Sequence, residues 1–237
     1  MVASKHSNPV TYFVQQSVTV LRTQGLASLV KRIRDHLQSH QFVYGSKNCP
    51  EFPTPICELD LELKEITAAD GDEIDGLTAI DEWAISKSVT LKKLEEGEHI
   101  YIAKHKGQIV GTVSVVTKEK FEDPILGREF RLARDEAYCW RAFCVPAFRG
   151  RGIIQALEKY YQSDLALKYG RNNTLVLIRT SNKSSQRLSW KSGRIKVGRA
   201  GFVGIFGIQF HYLWGREAFK ETQQRFLIQK RRPVSLG

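Results

Sequence analysis

Alternating apolar and polar residues mark the start of a sheet-forming region. Leu59, Leu61 and Leu63 alternate with charged neighbours, and this period of two predicts a strand over residues 56–66 with one face in water. The patterns that follow predict one or two helices over 72–96, a hairpin of strands over 99–104 and 108–116, a loop over 121–135, a strand over 137–145, a helix over 150–169, a strand over 174–180, a polar helix over 183–192 and β-rich sequence over 197–214. This order predicts an α/β (α+β) domain with a mixed sheet flanked by helices.

The two ends of the chain have a different character. Apolar residues recur at helical spacing within residues 9–38 among several lysines and arginines, which predicts a basic amphipathic helix. Such a helix can cover an apolar patch of its own domain or lie on an anionic membrane. Prolines follow it, so we expect residues 1–56 to form a helical extension and linker, 57–215 the main domain, and 216–237 a basic helical tail.

The distribution of charge is more informative than the net charge of +11. Residues 51–100 carry 14 acidic against 4 basic side chains, whereas residues 151–200 carry 11 basic against 2 acidic ones. A basic half suits any polyanion, including nucleic acid, an anionic membrane and the phosphates of a nucleotide. No aromatic stacking motif or helix-turn-helix pattern accompanies it, so we expect no specific nucleic-acid partner.

Composition also bounds the location and the chemistry of the protein. No run approaches the roughly 18 apolar residues of a membrane span, and the first residues lack the apolar core of a signal peptide. The four cysteines show no C-x-x-C spacing. We therefore expect a cytoplasmic protein with reduced thiols and no metal.

The sharpest motif follows the strand predicted over 137–145. Pro146 ends that strand, and Arg149-Gly150-Arg151-Gly152-Ile153 then opens a helix. Glycines let backbone N–H groups approach phosphate oxygens, and a helix N-terminus carries partial positive charge. The spacing matches neither the dinucleotide fingerprint nor the P-loop. The segment is thus a candidate pyrophosphate site, although tight strand-to-helix turns also use glycine for packing alone.

This segment resembles the hallmark of the GNAT superfamily of acyl-CoA-dependent N-acyltransferases, a strand and proline followed by [Q/R]-x-x-G-x-[G/A]. The final position here is Ile154 instead of Gly or Ala. A second segment is similar to the family's N-x-x-A-x-x-L-Y-x-K-x-G-F, with Asn182 and Gly193 in register and Ser185 in place of Ala. Ser189 stands where the family often has the tyrosine that protonates the leaving thiolate. The resemblance spans about residues 58–215 and implies a GNAT-like, mostly antiparallel sheet.

The resemblance also implies a donor and candidate site residues. In this family the strand before the loop separates from its neighbour, and the pantetheine arm of acetyl-CoA or another acyl-CoA lies between them. We expect the Val145 N–H to stabilise the oxyanion. Asp135 or Glu136 is a candidate base, and Tyr138 or Tyr212 a candidate acid. The residues expected to bind the donor are Phe143, Val145, Arg149, Gly150, Arg151, Gly152, Ile153, Asn182 and Ser185.

Three functions remain open from the sequence. One is transfer of an acyl group from acyl-CoA to the amine of a small molecule, amino acid, amino sugar or lipid-linked acceptor. A variant uses long-chain acyl carrier protein as the donor, as an N-acyl amino acid synthase would. The third is a catalytically silent acyl-CoA sensor, which Ser189 at the acid position favours.

Overall fold

The computed structural model describes residues 38–48, 57–80, 86–123, 126, 128–205 and 208–215. An eight-stranded sheet dominates them. Its strands are β1 (Gln38–Lys47), β2 (Glu62–Ile66), β3 (Glu98–His105), β4 (Gln108–Val116), β7 (Glu136–Cys144), β8 (Asn173–Arg179), β9 (Ile195–Ile205) and β10 (Ile208–Gly215), while β5 (Lys120–Asp123) and β6 (Arg128–Arg131) pair only with each other. The helices are α1 (Gly71–Ile80), α2 (Lys87–Glu95), α3 (Ile153–Tyr169) and α4 (Lys183–Lys191), with a short 3₁₀ turn at Pro146–Phe148.

The strand order in the sheet is β10-β9-β1-β8-β7-β4-β3-β2. The neighbours β7 and β8 run parallel, and the other adjacent pairs run antiparallel. A parallel pair needs a crossover connection, and α3 provides it between β7 and β8. The mixed, mostly antiparallel fold expected from the sequence is confirmed.

Strand β1 corrects the organisation expected for the N-terminal part. Its residues were assigned to the end of a helix and to a linker, yet β1 lies inside the sheet between β8 and β9. The polar run over residues 38–41 breaks the alternation that would mark a strand in the sequence. Ser39 and Gln41 are polar and buried there. The sheet therefore begins well before the residue-57 boundary, while the remainder of the predicted helix and the basic tail lie outside the described residues.

Helices and a small hairpin cover the two faces of the sheet. On the face we call the α3 face, Ile153, Leu157 and Leu165 of α3 pack on side chains of β3, β4 and β7 such as Cys139. On the opposite face, α1 packs with apolar residues of β2, β3 and β4, and the β5–β6 hairpin packs near Tyr138. Cys139 and Tyr138 point to different faces because successive strand residues alternate.

The segment over 121–135 is not simply a loop. The short strands β5 and β6 pair in register from Lys120↔Arg131 to Asp123↔Arg128. Phe121 and Leu132 are buried against Tyr138 and Leu175. Charged residues dominate this sequence and hide the strand pattern, because only a few of its side chains face the core.

Candidate active site

Strands β7 and β8 separate halfway along their length. They pair from Glu136↔Asn173 to Cys139↔Val176, and the register ends there. Residues 140–144 of β7 and 177–179 of β8 continue beyond it. We call the opening between these two segments the cleft and its closed end at Cys139 and Val176 the vertex. At about 3.3 Å per residue, the β7 side of the cleft is roughly 17 Å long.

The register between β4 and β7 determines which backbone groups face the cleft. The Val145 N–H donates to the Val110 carbonyl at 3.0 Å, and Phe143 lies opposite Thr112. Hydrogen bonding alternates along an antiparallel pair, so Ala142 and Cys144 direct their backbone groups toward the cleft. The prediction that the Val145 N–H is free to hold an oxyanion is therefore wrong. Arg149 Nε binds the Cys144 carbonyl at 3.1 Å, on the side of β7 that faces away from β4.

The open end of the cleft meets the N-terminus of α3. Gly152 is the N-cap residue in the left-handed region, with φ of 84°, and no side chain caps this helix end. The first helical hydrogen bond runs from the Ala156 N–H to the Gly152 carbonyl at 2.9 Å. The N–H groups of residues 152–155 thus have no partner within the helix. With the helix dipole, they form a site for an anion such as pyrophosphate.

Gly150 shows why this loop needs glycine. Its φ is also 84°, and a Cβ added to it would meet nothing within 4 Å. Conformation, and not crowding, therefore selects glycine at this position. The loop that the sequence predicted as an anion site is present where it was expected.

At the vertex, a tryptophan is held by two charged side chains. Trp140 Nε1 donates to Glu98 Oε1 at 2.9 Å, and Lys93 Nζ lies 3.8 Å from the centroid of the Trp140 ring. Lys93 Nζ is also 3.8 Å from Glu98 Oε1. Burial is the main cause that lowers the pKa of Lys93, and the negative charge of Glu98 opposes it. Sequence reasoning missed these residues because three separate elements bring them together.

Glu136 and Tyr138 do not direct their polar groups into the cleft. The Glu136 carboxylate accepts the Ala133 N–H at 2.8 Å, at the end of β7 that is paired with β8. The buried Tyr138 hydroxyl donates to Asp123 at 2.8 Å. Burial and the Asp123 charge raise the pKa of Tyr138 well above its usual value. Tyr138 thus packs under the β5–β6 hairpin, and Glu136 stabilises the turn at Ala133.

Tyr212 lies far from the cleft. It is on β10, and strands β9 and β1 separate it from β8. At about 4.8 Å per strand, this places it roughly 14 Å from β8. Its hydroxyl is hydrogen-bonded to His40 Nδ1. The Tyr212 side chain packs over Gly201, where an added Cβ would lie 2.7 Å from the Tyr212 hydroxyl oxygen. The structure therefore does not bring Tyr212 to the expected acid position.

Asn182 and Ser185 begin α4, directly after β8. The Asn182 side chain caps the helix by accepting the Ser185 N–H at 3.1 Å. Both residues follow the end of β8 that borders the cleft. Their contact with a donor stays a prediction, as does that of the Arg149–Ile153 loop. The backbone contact expected of Phe143 is wrong for the same reason as that of Val145, because Phe143 lies opposite Thr112 and faces β4. Ser189 is buried, with 3% of its surface exposed.

Comparison with known proteins decides the family. The sequence model of the Acetyltransferase (GNAT) family matches residues 61–192, more than half of the chain. The chain belongs to this family. This protein is therefore an acyltransferase, and the GNAT family uses acetyl-CoA or another acyl-CoA as the donor. A search of curated proteins gives no match.

Solved structures similar to this GNAT protein share little sequence with it. An aminoglycoside acetyltransferase from an uncultured soil metagenomic sample, in complex with sisomicin, is 13% identical, with 56% of this chain and 86% of that chain covered and a TM-score of 0.44. Ribosomal-protein-alanine N-acetyltransferase from Brucella melitensis biovar Abortus is 16% identical, with coverages of 56% and 90% and a TM-score of 0.41. The ribosomal-protein-S18-alanine N-acetyltransferase from Escherichia coli is 14% identical, with coverages of 56% and 77% and a TM-score of 0.43.

Two further observations concern the described residues alone. None of their helices is long and apolar enough to cross a membrane. Nor does the described part of the chain bring three or more His, Cys, Asp or Glu side chains together as a metal site.

Proposed function

We propose that this protein is a cytoplasmic N-acyltransferase that moves an acyl group from acetyl-CoA or another acyl-CoA to the primary amine of a small molecule, amino acid, amino sugar or lipid-linked acceptor. The observation that carries the proposal is the continuity of the cleft with the α3 N-terminus. A polar anion site and a cleft lined by backbone groups lie end to end. This combination suits a donor with a pyrophosphate at one end and an extended amide-containing arm at the other.

Two sets of backbone groups bind different parts of the donor. The N–H groups of residues 152–155 bind the pyrophosphate, since four donors at a helix N-terminus suit an anion. The backbone groups of Ala142 and the Cys144 N–H pair with the amides of the pantetheine arm, because they face away from β4, while the Cys144 carbonyl accepts Arg149 Nε. The thioester then lies toward the vertex.

The acceptor approaches from the face opposite α3. Its neutral amine attacks the thioester carbonyl, the amine nitrogen loses a proton, and the carbon–sulfur bond breaks to release the coenzyme A thiolate, which takes up a proton. Trp140 is the first residue of β7 beyond the vertex, and its indole N–H bonds Glu98 of β3 on that face.

Calorimetric titration with acetyl-CoA tests the proposal. We expect micromolar binding by the wild type and at least a tenfold loss in Gly152→Asp, because a carboxylate then competes with the phosphate. The control is Gly170→Asp, which makes the same change at a left-handed glycine at the other end of α3, roughly 25 Å away. Gly152→Asn separates charge from shape and should bind better than Gly152→Asp.

Either of two results would overturn this assignment. One is acetyl-CoA binding by Gly152→Asp that equals that of Gly170→Asp. The other is a folded wild type that binds no coenzyme A thioester. In the second case, binding of a pantetheine-loaded acyl carrier protein would identify the alternative donor.

A further inference from the structure

Helix α4 carries an exposed stripe of basic residues with a tryptophan among them. Lys183, Arg187, Trp190 and Lys191 are all exposed, and 77% of the Trp190 surface is open to solvent. Their spacing of four, three and one residues places all four within about 100° of the helix circumference. We call this set the α4 stripe. A single exposed apolar residue needs no explanation by itself, so the surroundings of Trp190 decide what it does.

The helix is fixed with the α4 stripe outward. Ser189, on the opposite side of the helix, has 3% of its surface exposed. Gln186 Nε2 donates to the carbonyl groups of Arg179 and Thr180 at 3.1 and 2.8 Å. At the C-terminal end, the Arg194 N–H donates to the Ser189 carbonyl at 2.9 Å, the longer bond of a Schellman motif. The helix therefore cannot roll to bury the stripe without breaking these contacts.

The surroundings of the stripe are basic. Residues 165–215 contain nine lysines and arginines and no aspartate or glutamate. Lys196 and Arg199 of β9 both lie over the Phe42 ring, with Lys196 Nζ 3.4 Å and Arg199 Cζ 5.2 Å from its centroid. Burial is the main cause that lowers the pKa of Lys196, and the positive charge of Arg199 adds to it. Positive charge is thus concentrated in this part of the chain, which suits an anionic partner.

The shape of the stripe favours a lipid surface over nucleic acid. Proteins that bind single strands combine a basic groove with several aromatic side chains, whereas the α4 stripe is the convex face of a helix and holds one. At a membrane, tryptophan rings lie at the level of the headgroups, and lysines and arginines are attracted to the anionic lipids around them. Trp190 with Arg187 and Lys191 beside it has this arrangement.

We propose that the α4 stripe docks the protein reversibly on an anionic membrane surface, with the Trp190 ring among the headgroups and Lys183, Arg187 and Lys191 on lipid phosphates. Each basic side chain near such a surface strengthens binding about fivefold, so three of them strengthen it about 100-fold. The contact needs no acyl donor, and it is therefore independent of the proposed catalytic function.

Co-sedimentation of the full chain with lipid vesicles tests the proposal. One set of vesicles is phosphatidylcholine alone, and in the other about a third of the lipid is phosphatidylglycerol. We expect the wild type to partition at least tenfold more strongly into the anionic vesicles. Arg187→Gln/Lys191→Gln should lower this partition coefficient at least tenfold because two charges are lost, and Trp190→Ala should lower it about threefold or more.

Matched controls make the same changes elsewhere on the surface. Lys87→Gln/Lys92→Gln removes two charges from α2, where these side chains are 50% and 73% exposed. Leu167→Ala shortens an apolar residue of α3 that is 67% exposed. Both controls should bind vesicles as the wild type does. Circular dichroism and urea denaturation of every variant should match the wild type, since all these positions are exposed.

Quenching by brominated lipid locates the contact. Lipids with brominated acyl chains in the anionic vesicles quench the fluorescence of a tryptophan that reaches them. The chain has four tryptophans, and Trp190→Phe identifies the contribution of one. This variant keeps an aromatic ring and should still bind, whereas the quenching seen in the wild type should be lost.

Three results would overturn the proposal. One is a wild type that sediments equally with both kinds of vesicle or with neither. Another is wild-type binding to anionic vesicles by Arg187→Gln/Lys191→Gln and Trp190→Ala, or unchanged quenching in Trp190→Phe, either of which would place the contact elsewhere in the chain. The third is a single-stranded oligonucleotide that displaces the vesicles and loses affinity in the same variants, which would assign the α4 stripe to nucleic acid.

Discussion

The first turn of α3 rests on a glycine of β4, and this contact positions the proposed anion site. A Cβ added to Gly111 would lie 2.9 Å from Cγ2 of Ile153 and 3.4 Å from both Cδ1 of Leu157 and the Phe143 carbonyl oxygen. Cγ2 of Ile153 is attached directly to Cβ and has little freedom to move. Gly111→Ala therefore forces α3, β4 or β7 to shift.

We expect Gly111→Ala to lower the free energy of unfolding by about 1 to 3 kcal/mol, the usual cost of overpacking a core. Urea denaturation followed by tryptophan fluorescence measures the loss. Because the shift falls at the start of α3, acetyl-CoA affinity should fall as well. The control is Gly71→Ala, where an added Cβ would meet nothing within 4 Å, and its stability should equal or exceed that of the wild type by up to about 1 kcal/mol.

A double-mutant cycle isolates the contact. Ile153→Ala removes the clashing methyl group and by itself should cost about 2 to 5 kcal/mol, since Ile153 is buried. If the Cβ clash is the cause, the double variant should be at least about 1 kcal/mol more stable than the sum of the single effects. Additive effects, or a Gly111→Ala variant within about 0.5 kcal/mol of the wild type, would refute this reasoning.

Two further predictions concern charged groups. The Lys64 ammonium is the main cause that lowers the pKa of Asp70 to about 2, so Asp70 stabilises the fold above about pH 4 and loses this effect as the pH falls toward 2. Asp70→Asn should cost about 1 kcal/mol at pH 7, a value discounted because water screens this partly exposed pair. Urea denaturation at several pH values should show the difference shrink as the pH falls and be lost below about pH 2; a difference that stays constant with pH would contradict the prediction. Arg194 and Glu158 form a buried ion pair at 3.4 Å. Arg194→Met should lower the free energy of unfolding by about 3 to 5 kcal/mol, because it leaves the Glu158 charge buried without its partner, and adding Glu158→Gln should recover at least half of that loss. A double variant that shows no recovery in urea denaturation would contradict the prediction.

Local features of the site were predictable from the sequence. The loop from Arg149 to Ile153 was located because its glycines, the preceding proline and the apolar spacing of α3 are all local signals. The hairpin of β3 and β4 and the helices α1, α2 and α4 were predicted for the same reason. Their hydrogen bonds or turns lie close together in sequence.

Features that depend on a distant partner were not predictable. β1 carries polar residues on a strand whose environment is set by β8 and β9, so its own pattern gives no sign of a central strand. The assignment of cleft-facing backbone groups depends on the register of β7 against β4, and a shift of one residue reverses it. The sequence therefore indicated Val145, whereas the structure directs Ala142 and Cys144 toward the cleft.

The contacts of the Trp140 side chain could not be predicted from the sequence either. Lys93, Glu98 and Trp140 belong to α2, β3 and β7, and no spacing in the sequence connects them. Glu136 and Tyr138, chosen from the sequence, lie on β7, but their polar groups bind the Ala133 N–H and Asp123 instead of facing the cleft. Tyr212 lies on β10, where its hydroxyl is hydrogen-bonded to His40.

Residue-resolved amide hydrogen exchange with and without acetyl-CoA tests the central claim most directly. The account predicts slower exchange at residues 152–155 and at Ala142 and Cys144, because the donor supplies acceptors that these N–H groups lack. The Val145 N–H is already bonded to Val110 and should change little. Protection confined to other parts of the chain, or protection of Val145 without Ala142 and Cys144, would contradict the account.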